Sequence, residues 1–364
     1  MKKIIFFTKN LKIGGMEKAL VTLINNINKS EYKVTLALEK YEGKLCQYIS
    51  KDIDIIDYNL SINKNILIRK ISNFIKRIKF VIKNRNKYDC AINYATYSIW
   101  GSTMAKICSQ NTILFVHSDY YNVYDGKEEE IRNFFNSIKI EYFKKIIFVS
   151  KYPKDNLLKV MPEISSKVEL LGNLIDYKEI LKQSEEYKVD FDKNKINLIF
   201  LGRLDESSKK ISKLIKTVNN SKELDKFNLY IIGEGPDKKE YENISKTENI
   251  IFVGEYQNPY PYIKAGDYLI LTSKYEGFPV VYNEATVLKT GIITTIPVED
   301  EQIIYNGNNI IKLNSDLSNF DKIIEQISKE EILKNEIEMN FEEINNKKME
   351  RFYEIMRKMK KGRE

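Results

Sequence analysis

The stretch that decides the fold is a short apolar run, Tyr268-Leu-Ile-Leu-Thr-Ser273, followed closely by Glu276-Gly-Phe-Pro-Val-Val-Tyr-Asn-Glu284. The apolar run is typical of a strand buried on both faces. The glycine lets a backbone approach a ligand closely, and the proline suits the first turn of a helix. Ligands bind open parallel sheets at such strand ends, where backbone N–H groups at a helix start suit a diphosphate. The stretch therefore predicts a ligand site flanked by two carboxylates.

Similar apolar runs recur along the whole chain, with amphipathic helical segments between them. Strands that alternate with helices predict parallel, doubly wound sheets. The other predicted strands are Ile4–Thr8, Lys33–Leu38, Cys90–Tyr94, Thr112–His117, Ile146–Ser150, Val168–Leu171, Ile196–Leu201, Leu229–Gly233, Ile250–Gly254, Gly291–Thr295 and Asn309–Leu313.

The length of 364 residues suits two α/β domains better than one core. The pattern lapses in the polar segment Asp176–Lys195, which predicts a helix and linker at the domain boundary. We therefore expect an N-terminal domain over 1–175 and a second domain over 176–340. A charged helix over 341–364 is expected to pack back across the domain junction.

The net charge of +8 favours acidic partners such as phosphate-bearing small molecules or an anionic membrane surface. A nucleic-acid partner is not expected, because no binding motif accompanies the charge. The three cysteines lack metal-binding spacing and fit a reducing compartment. The first apolar run ends at Phe7, and no stretch is long enough to span a bilayer. These features predict a cytoplasmic protein.

The string Ser273-Lys-Tyr-Glu-Gly-Phe-Pro-Val-Val-Tyr-Asn-Glu-Ala285 resembles the E-x7-E signature of family 4 (group 1) retaining glycosyltransferases of GT-B fold. Such enzymes occur in bacterial surface polysaccharide biosynthesis. The resemblance implies two Rossmann-like domains that face each other across a cleft, the first for the acceptor and the second for the nucleotide sugar. It extends over almost the whole chain, through Gly14-Gly15, Phe115-Val-His117, Phe148-Val-Ser150, Gly202-Arg203-Leu and Ile231-Ile-Gly-Glu-Gly-Pro236.

The resemblance also implies roles for the residues of the stretch. Glu276 contacts the donor sugar, and Glu284 holds the ribose hydroxyls. Main-chain amides between them contact sugar and phosphate, at Gly277, Phe278, Val280 and Val281. The spacing of the two glutamates is weak evidence by itself. The alternative is a surface glutamate followed by a carboxylate near a helix N-terminus, where the macrodipole favours it.

Gly202 and Arg203 lie at the end of a predicted strand, and Lys209 follows on the next helix. Arg203 and Lys209 are expected to supply the positive charge that a departing diphosphate needs. The chain has roughly one residue more between the arginine and the lysine than the common family spacing. Lys210 therefore remains an alternative to Lys209. The alternative interpretation is two solvated charges at a strand end.

The single histidine, His117, ends an apolar strand and matches the family's histidine near the donor sugar. We expect it to position the sugar or stabilise developing charge, and not to act as a base. The amides of Gly14 and Gly15 can face a phosphate or the acceptor. Gly233 is expected to shape the nucleotide pocket, although ordinary turn chemistry explains it equally well. The loop Glu255–Tyr262, which carries three tyrosines, is a weaker candidate for a position near the base.

A basic segment over residues 58–88 contains no acidic residue. Its apolar residues form one stripe along a predicted helix. One interpretation is that this helix lies on an anionic lipid surface, and the other is that it is a domain helix with a solvated basic face. The basic residues of this segment that prompt the membrane interpretation are Lys64, Arg69, Lys70, Lys76, Arg77, Lys79, Lys83, Arg85 and Lys87.

The resemblance, together with these features, implies a retaining, metal-independent transferase without a cofactor. It is expected to move a hexose from a nucleoside diphosphate sugar, expected to be UDP-linked. The acceptor is a glycan or a lipid-linked molecule, and the protein is expected at the inner face of the cell membrane. Two alternatives remain, a non-catalytic GT-B partner subunit and a GT-B sugar-nucleotide epimerase. The sequence lacks a P-loop and a dinucleotide fingerprint, which excludes ATPase and dehydrogenase interpretations.

Overall fold

The computed structural model describes residues 1–12, 14–296, 310–331 and 338–359. These residues form two compact units. Unit 1 comprises Met1–Leu174 and the described residues from Glu342 onward, and unit 2 lies within Ile175–Phe341. Residues 360–364 of the expected C-terminal helix lie outside the described residues, as does Asn309 of the last expected strand.

Unit 1 contains a seven-stranded parallel sheet in the order β3-β2-β1-β4-β5-β6-β7. The chain adds β2 and β3 on one side of β1 and the remaining strands on the other side, beginning with β4. The carboxyl ends of β1 and β4 are therefore the switch point where such sheets bind ligands. The strands are β1 Lys2–Thr8, β2 Tyr32–Leu38, β3 Asp54–Asp57, β4 Cys90–Asn93, β5 Thr112–Val116, β6 Lys145–Phe148 and β7 Val168–Leu170.

The central strands of unit 1 are buried because helices cover both faces of the sheet. All five residues of β5 are buried, as the continuous apolar pattern predicts. The helices of this unit are α1 Gly15–Asn26, α2 Ile66–Asn84, α3 Ile99–Cys108, α4 Tyr120–Val123, α5 Glu128–Ser137, α6 Lys151–Val160 and, after the second unit, α14 Phe341–Lys358.

Helix α14 returns the chain to unit 1. Its Phe352 and Ile355 are fully buried. The Tyr353 ring stacks on that of Tyr32 in β2 with centroids 5.3 Å apart, and its hydroxyl accepts a hydrogen bond from the Asn28 amide. The α14 side chains therefore complete the core of the first unit.

Unit 2 contains a six-stranded parallel sheet in the order β10-β9-β8-β11-β12-β13. Its switch point lies between β8 and β11, so the loops after these two strands lie where a ligand is expected. The strands are β8 Ile196–Leu201, β9 Phe227–Ile232, β10 Ile250–Gly254, β11 Tyr268–Leu271, β12 Gly291–Thr294 and β13 Ile310–Lys312.

The helices of unit 2 follow the same alternation. They pack around a core that includes Phe200, Leu229 and Ile270. These helices are α7 Tyr177–Gln183, α8 Glu206–Lys209, α9 Ile211–Asn219, α10 Lys238–Ile244, α11 Tyr260–Ala265, α12 Val280–Val287 and α13 Phe320–Ser328.

The sequence prediction missed one strand in the described part of the chain, β3. This strand is four residues long, lies at the edge of its sheet and carries an aspartate at each end. This short edge strand lacks the continuous apolar pattern that identified the others, and one of its sides is open to solvent.

Candidate active site

The stretch Glu276–Glu284 lies at the switch point of the second sheet. It follows β11, and the loop that contains Gly202 and Arg203 follows the adjacent strand β8. Helix α12 starts at Val280, immediately after Pro279. The first N–H groups of a helix have no partner within the helix, so the start of α12 offers amides to an anion at this edge.

Glu276 is held by two side chains on neighbouring segments. Its Oε1 atom accepts hydrogen bonds from Lys209 Nζ at 2.5 Å and from Ser273 Oγ at 2.6 Å. The Lys209 and Glu276 side chains are each only 17% exposed. Charges in such a position are screened less than at the surface, so the pair fixes the direction of both groups.

Lys209 and Lys210 occupy different positions. Lys209 ends α8, and its side chain reaches Glu276. Lys210 has a left-handed φ of 54° between α8 and α9. The contact with Glu276 therefore involves the lysine that the sequence analysis preferred.

Arg203 extends into solvent at the same edge of the sheet. Its side chain is 71% exposed, and its nearest acidic neighbour among the described ion pairs is Asp205, with Nε 3.8 Å from Oδ2. Such a loose contact holds the guanidinium weakly. The side chain is thus free to turn toward an anion bound at the start of α12.

Gly233 follows β9 and lies against the loop after β8. Its φ is +147°, and a Cβ at this position would lie 2.0 Å from the carbonyl oxygen of Gly202. Only glycine fits such an approach. At Gly202 a Cβ would make an ordinary contact, 3.6 Å from Lys209 Cε. Gly233 is therefore required by the approach of two backbones.

Glu284 lies one turn into α12 and is buried. Its Oε1 atom accepts a hydrogen bond from the Tyr260 hydroxyl at 3.0 Å. Burial, and then the neighbouring Glu284 charge, raise the pKa of Tyr260 well above its usual value, so the hydroxyl keeps its proton and acts as donor. Sequence analysis included Tyr260 only as part of the loop Glu255–Tyr262, a weaker candidate for a position near the base, and assigned it no individual role. In the structure Tyr260 is the first residue of α11.

Phe278 and the helix-start residues complete the region. The Phe278 side chain is buried, while Gly277, Val280 and Val281 are half-buried. Gly277, Val280 and Val281 are therefore partly exposed at the edge where the glutamates lie. In the described ranges, no group of three or more His, Cys, Asp or Glu side chains is arranged to hold a metal ion. Metal independence stays a prediction.

His117 follows β5 in unit 1, at the carboxyl edge of the first sheet. Burial lowers the pKa of the imidazole from 6.5 to about 3, although a hydrogen bond with the Tyr94 backbone opposes the shift. Its Nε2 atom is buried without a hydrogen-bond partner among the described residues. Since the ring donates through Nδ1, Nε2 is left as an acceptor. A neutral imidazole with one open acceptor can orient a hydroxyl but cannot supply positive charge.

Tyr94 is a second residue of this edge that sequence reasoning missed. Its ring lies 4.4 Å from the His117 ring, measured between centroids. Tyr94 directly follows β4, the strand next to β5. An aromatic residue at the end of an apolar run is typical of the hydrophobic core. Nothing in the sequence therefore distinguishes Tyr94 from a residue that only packs in the core.

Gly14 and Gly15 begin α1 after β1. Gly14 is the N-cap residue in an extended conformation, and a Cβ on it would meet the Glu17 carboxylate. Burial raises the pKa of Glu17. Burial, and then the neighbouring Glu17 charge, raise the pKa of Tyr97 to about 12. The helix start, Glu17 and the two tyrosines after β4 thus form a second polar group at the edge of unit 1.

One comparison with known proteins matches a segment within unit 2. Residues 195–329 match the family model described as glycosyl transferases, group 1. That match confirms the resemblance to group 1 glycosyltransferases. The matched residues include Lys209, Glu276 and Glu284.

Similar proteins cover nearly the whole chain. An α-1,4-N-acetyl-D-galactosaminyltransferase of Campylobacter jejuni, which is named for an acceptor linked to PP-undecaprenol, is 25% identical over 357 residues, or 96% of this chain and 93% of that protein. HepE of Anabaena, solved with UDP and glucose, has a TM-score of 0.72 at 15% identity, covering 98% of this chain and 100% of that one.

A third relative is S. aureus TarM, whose variant was solved with UDP, α-GlcNAc-glycerol and fondaparinux. It has a TM-score of 0.70 at 12% identity, and the match covers 99% of each chain. Identities this low show the fold only. Together with the two doubly wound sheets, they confirm the predicted GT-B fold class.

Proposed function

We propose that this protein is a retaining glycosyltransferase that moves a hexose from a UDP-sugar to a glycan or lipid-linked acceptor, without a metal ion. The observation that carries the proposal is the contact of Lys209 and Ser273 with Glu276 beside the start of α12. An ammonium group, helix-start amides and a sugar-binding carboxylate at one edge are the groups that a sugar diphosphate requires. The relatives that are named for a lipid-linked acceptor or solved with UDP support the choice of substrates.

In the proposed reaction, the diphosphate lies at the amides of Val280 and Val281. Lys209 has three N–H donors, and the Glu276 contact uses one of them. The remaining donors, with Arg203, stabilise the charge that develops on the phosphate as the bond from the sugar to its oxygen breaks. The acceptor hydroxyl forms the new bond on the same face of the sugar, and its proton passes to the departing phosphate.

Glu276 and Glu284 act on different parts of the donor. Glu276 accepts hydrogen bonds from sugar hydroxyls, and Glu284 accepts them from the ribose. His117 remains uncharged at neutral pH, and its open Nε2 can accept a hydrogen bond from a substrate hydroxyl without taking part as a base. A lipid-linked acceptor places the reaction at the inner face of the cell membrane. In the described part of the chain, no helix combines the length and apolar character of a membrane span.

The proposal is tested with a panel of nucleotide sugars, scored for thermal stabilisation of the protein and for hydrolysis with and without EDTA. We expect UDP and one UDP-sugar to raise the melting temperature, and EDTA to leave turnover unchanged. Lys209→Gln is expected to lower kcat/KM on the order of 100-fold, as for loss of a charge-stabilising donor. Lys210→Gln is the matched control and is expected to remain near wild type.

Each other outcome has a definite meaning. If no nucleotide sugar stabilises the protein, the proposal is wrong. Stabilisation without turnover on any acceptor assigns the chain to the non-catalytic partner subunits. Conversion of a free UDP-sugar to its epimer, with no transfer, assigns it to the epimerases.

A further inference from the structure

Helix α2 carries a large apolar surface that faces solvent. Phe74 is 63% exposed, Leu67 is 70% exposed and Ile82 is 78% exposed. Ile71, Ile75 and Ile78 are exposed on the same side, at the three- and four-residue spacing of one helical stripe. An apolar stripe on a domain helix ordinarily faces the core, and contiguous exposed apolar patches mark interaction sites.

The opposite side of α2 attaches it to unit 1. Phe80 is buried, with its ring centroid 5.7 Å from that of Tyr58 and 6.1 Å from that of Trp100. The Ser61 amide donates a hydrogen bond of 2.7 Å to Asn73 Oδ1, and Asn84 is buried. Since this side already anchors the helix, the apolar stripe is available to a partner.

Basic residues border the stripe on both sides. At about 100° per residue, Lys70 and Arg77 lie along one edge of the stripe, and Lys79 and Lys83 lie along the other. All four are exposed. The whole segment over residues 58–88 holds no acidic residue. The partner must therefore offer an apolar interior beneath a layer of negative charge.

We propose that the outward face of α2 docks on an anionic lipid bilayer, with the stripe in the acyl boundary and the four basic side chains at the phosphates. The charge pattern argues against a second copy of the same face, because a twofold contact would bring basic edges together. An interfacial helix has this combination of an apolar face, flanking lysines and arginines, and low overall hydrophobicity. The inference deepens the proposed function, on which its biological meaning rests, by naming the surface that brings the protein to a lipid-linked acceptor.

The test is co-sedimentation of the full chain with vesicles of phosphatidylcholine and phosphatidylglycerol, compared with phosphatidylcholine alone. We expect binding to the anionic vesicles only, weakened by added salt because exposed charges are screened. Lys70→Gln with Arg77→Gln is expected to weaken binding on the order of 25-fold, at about fivefold for each basic residue. Phe74→Ser with Ile78→Ser is expected to abolish binding without lowering the unfolding midpoint, since both side chains are exposed.

Matched controls lie on unit 2. Lys188→Gln with Lys193→Gln removes two charges outside α2, and Leu181→Ser removes an exposed apolar side chain. Neither is expected to change vesicle binding. Equal binding to neutral vesicles, or unchanged binding in both α2 variants, overturns the proposal.

Two further measurements separate this proposal from competing ones. UDP-sugar hydrolysis in the absence of lipid is expected to be the same in the α2 variants and the wild type, so a failed docking test and a failed transferase test are distinguishable. Sedimentation velocity reports the oligomeric state. A dimer that is lost in Phe74→Ser would overturn the bilayer proposal and assign the face to a second copy of the chain.

Discussion

The hydrogen bond from Tyr260 to Glu284 joins two buried side chains of unit 2. A buried carboxylate requires donors, and one that must also accept from a ligand has to be held in a single orientation. Tyr260 supplies this restraint from α11. It is therefore a positioning residue in the proposed nucleotide site.

Tyr260→Phe is expected to raise the Kd for UDP about fivefold, because a donor to a ligand-binding carboxylate is lost. Isothermal titration of UDP measures this change, with urea unfolding as a check that the fold persists. Tyr262→Phe is the matched control, since it removes a hydroxyl in the same helix whose partner is Tyr256. Equal weakening in both variants would contradict the assignment.

The pKa of His117, lowered to about 3, makes a prediction about pH. The folded protein keeps the imidazole neutral, while the unfolded chain binds a proton below its ordinary pKa of 6.5. The contribution of this histidine to stability is therefore complete above pH 6.5 and falls as the pH drops toward 3, with a slope of up to about 1.4 kcal/mol per pH unit.

The single histidine makes the measurement direct. NMR of the imidazole is expected to show no titration between pH 8 and about 5 in the folded protein, and an ordinary midpoint after denaturation in urea. His117→Asn is expected to remove this part of the acid dependence of stability. A folded-state midpoint near the ordinary histidine value would show that the imidazole is solvated.

At the scale of the element, the ends of β8 and β9 approach so closely that the loop after β9 requires glycine. Gly233→Ala is expected to cost about 3–5 kcal/mol of unfolding free energy, because left-handed backbone strain adds to a backbone clash with Gly202. Since Gly202 precedes Arg203, UDP binding is expected to weaken as well. Urea unfolding and titration of UDP measure the two effects.

Gly254→Ala serves as the comparison for this prediction. Gly254 has a φ of +89°, but a Cβ added there would meet no described atom within 4 Å, so backbone strain acts alone. We expect a loss of about 1–2 kcal/mol and unchanged UDP binding. If both alanine variants lose the same stability, the close approach at Gly233 has no energetic consequence.

At the scale of the whole molecule, unit 1 is built from two separate parts of the chain. The chain leaves it at Leu174, forms unit 2 and returns with α14. The Arg351 guanidinium pairs with Glu169 of β7 at 2.7 Å, and Lys348 Nζ donates to the Asn173 carbonyl oxygen at 2.8 Å. The core of unit 1 is therefore incomplete until the C-terminal segment has been synthesised.

Much of the fold could be predicted from sequence because strand and helix periods are local properties of the backbone. The buried strands of both sheets and the strand, turn and helix around Glu276 follow from apolar runs and from glycine and proline positions. β3 could not be predicted, since a short edge strand bounded by aspartates lacks that pattern.

The order of residues along the chain determines the alternating α/β architecture and the family resemblance. It also marks Glu276 and Glu284 as the two candidate site glutamates. Which distant side chains meet depends on the folded arrangement of the elements. Folding brings Lys209 rather than Lys210 to Glu276, joins Tyr260 to Glu284 and turns the α2 stripe toward solvent. A periodic pattern specifies that a face is apolar, but the neighbouring elements decide whether that face is covered, since burial depends on packing across the fold.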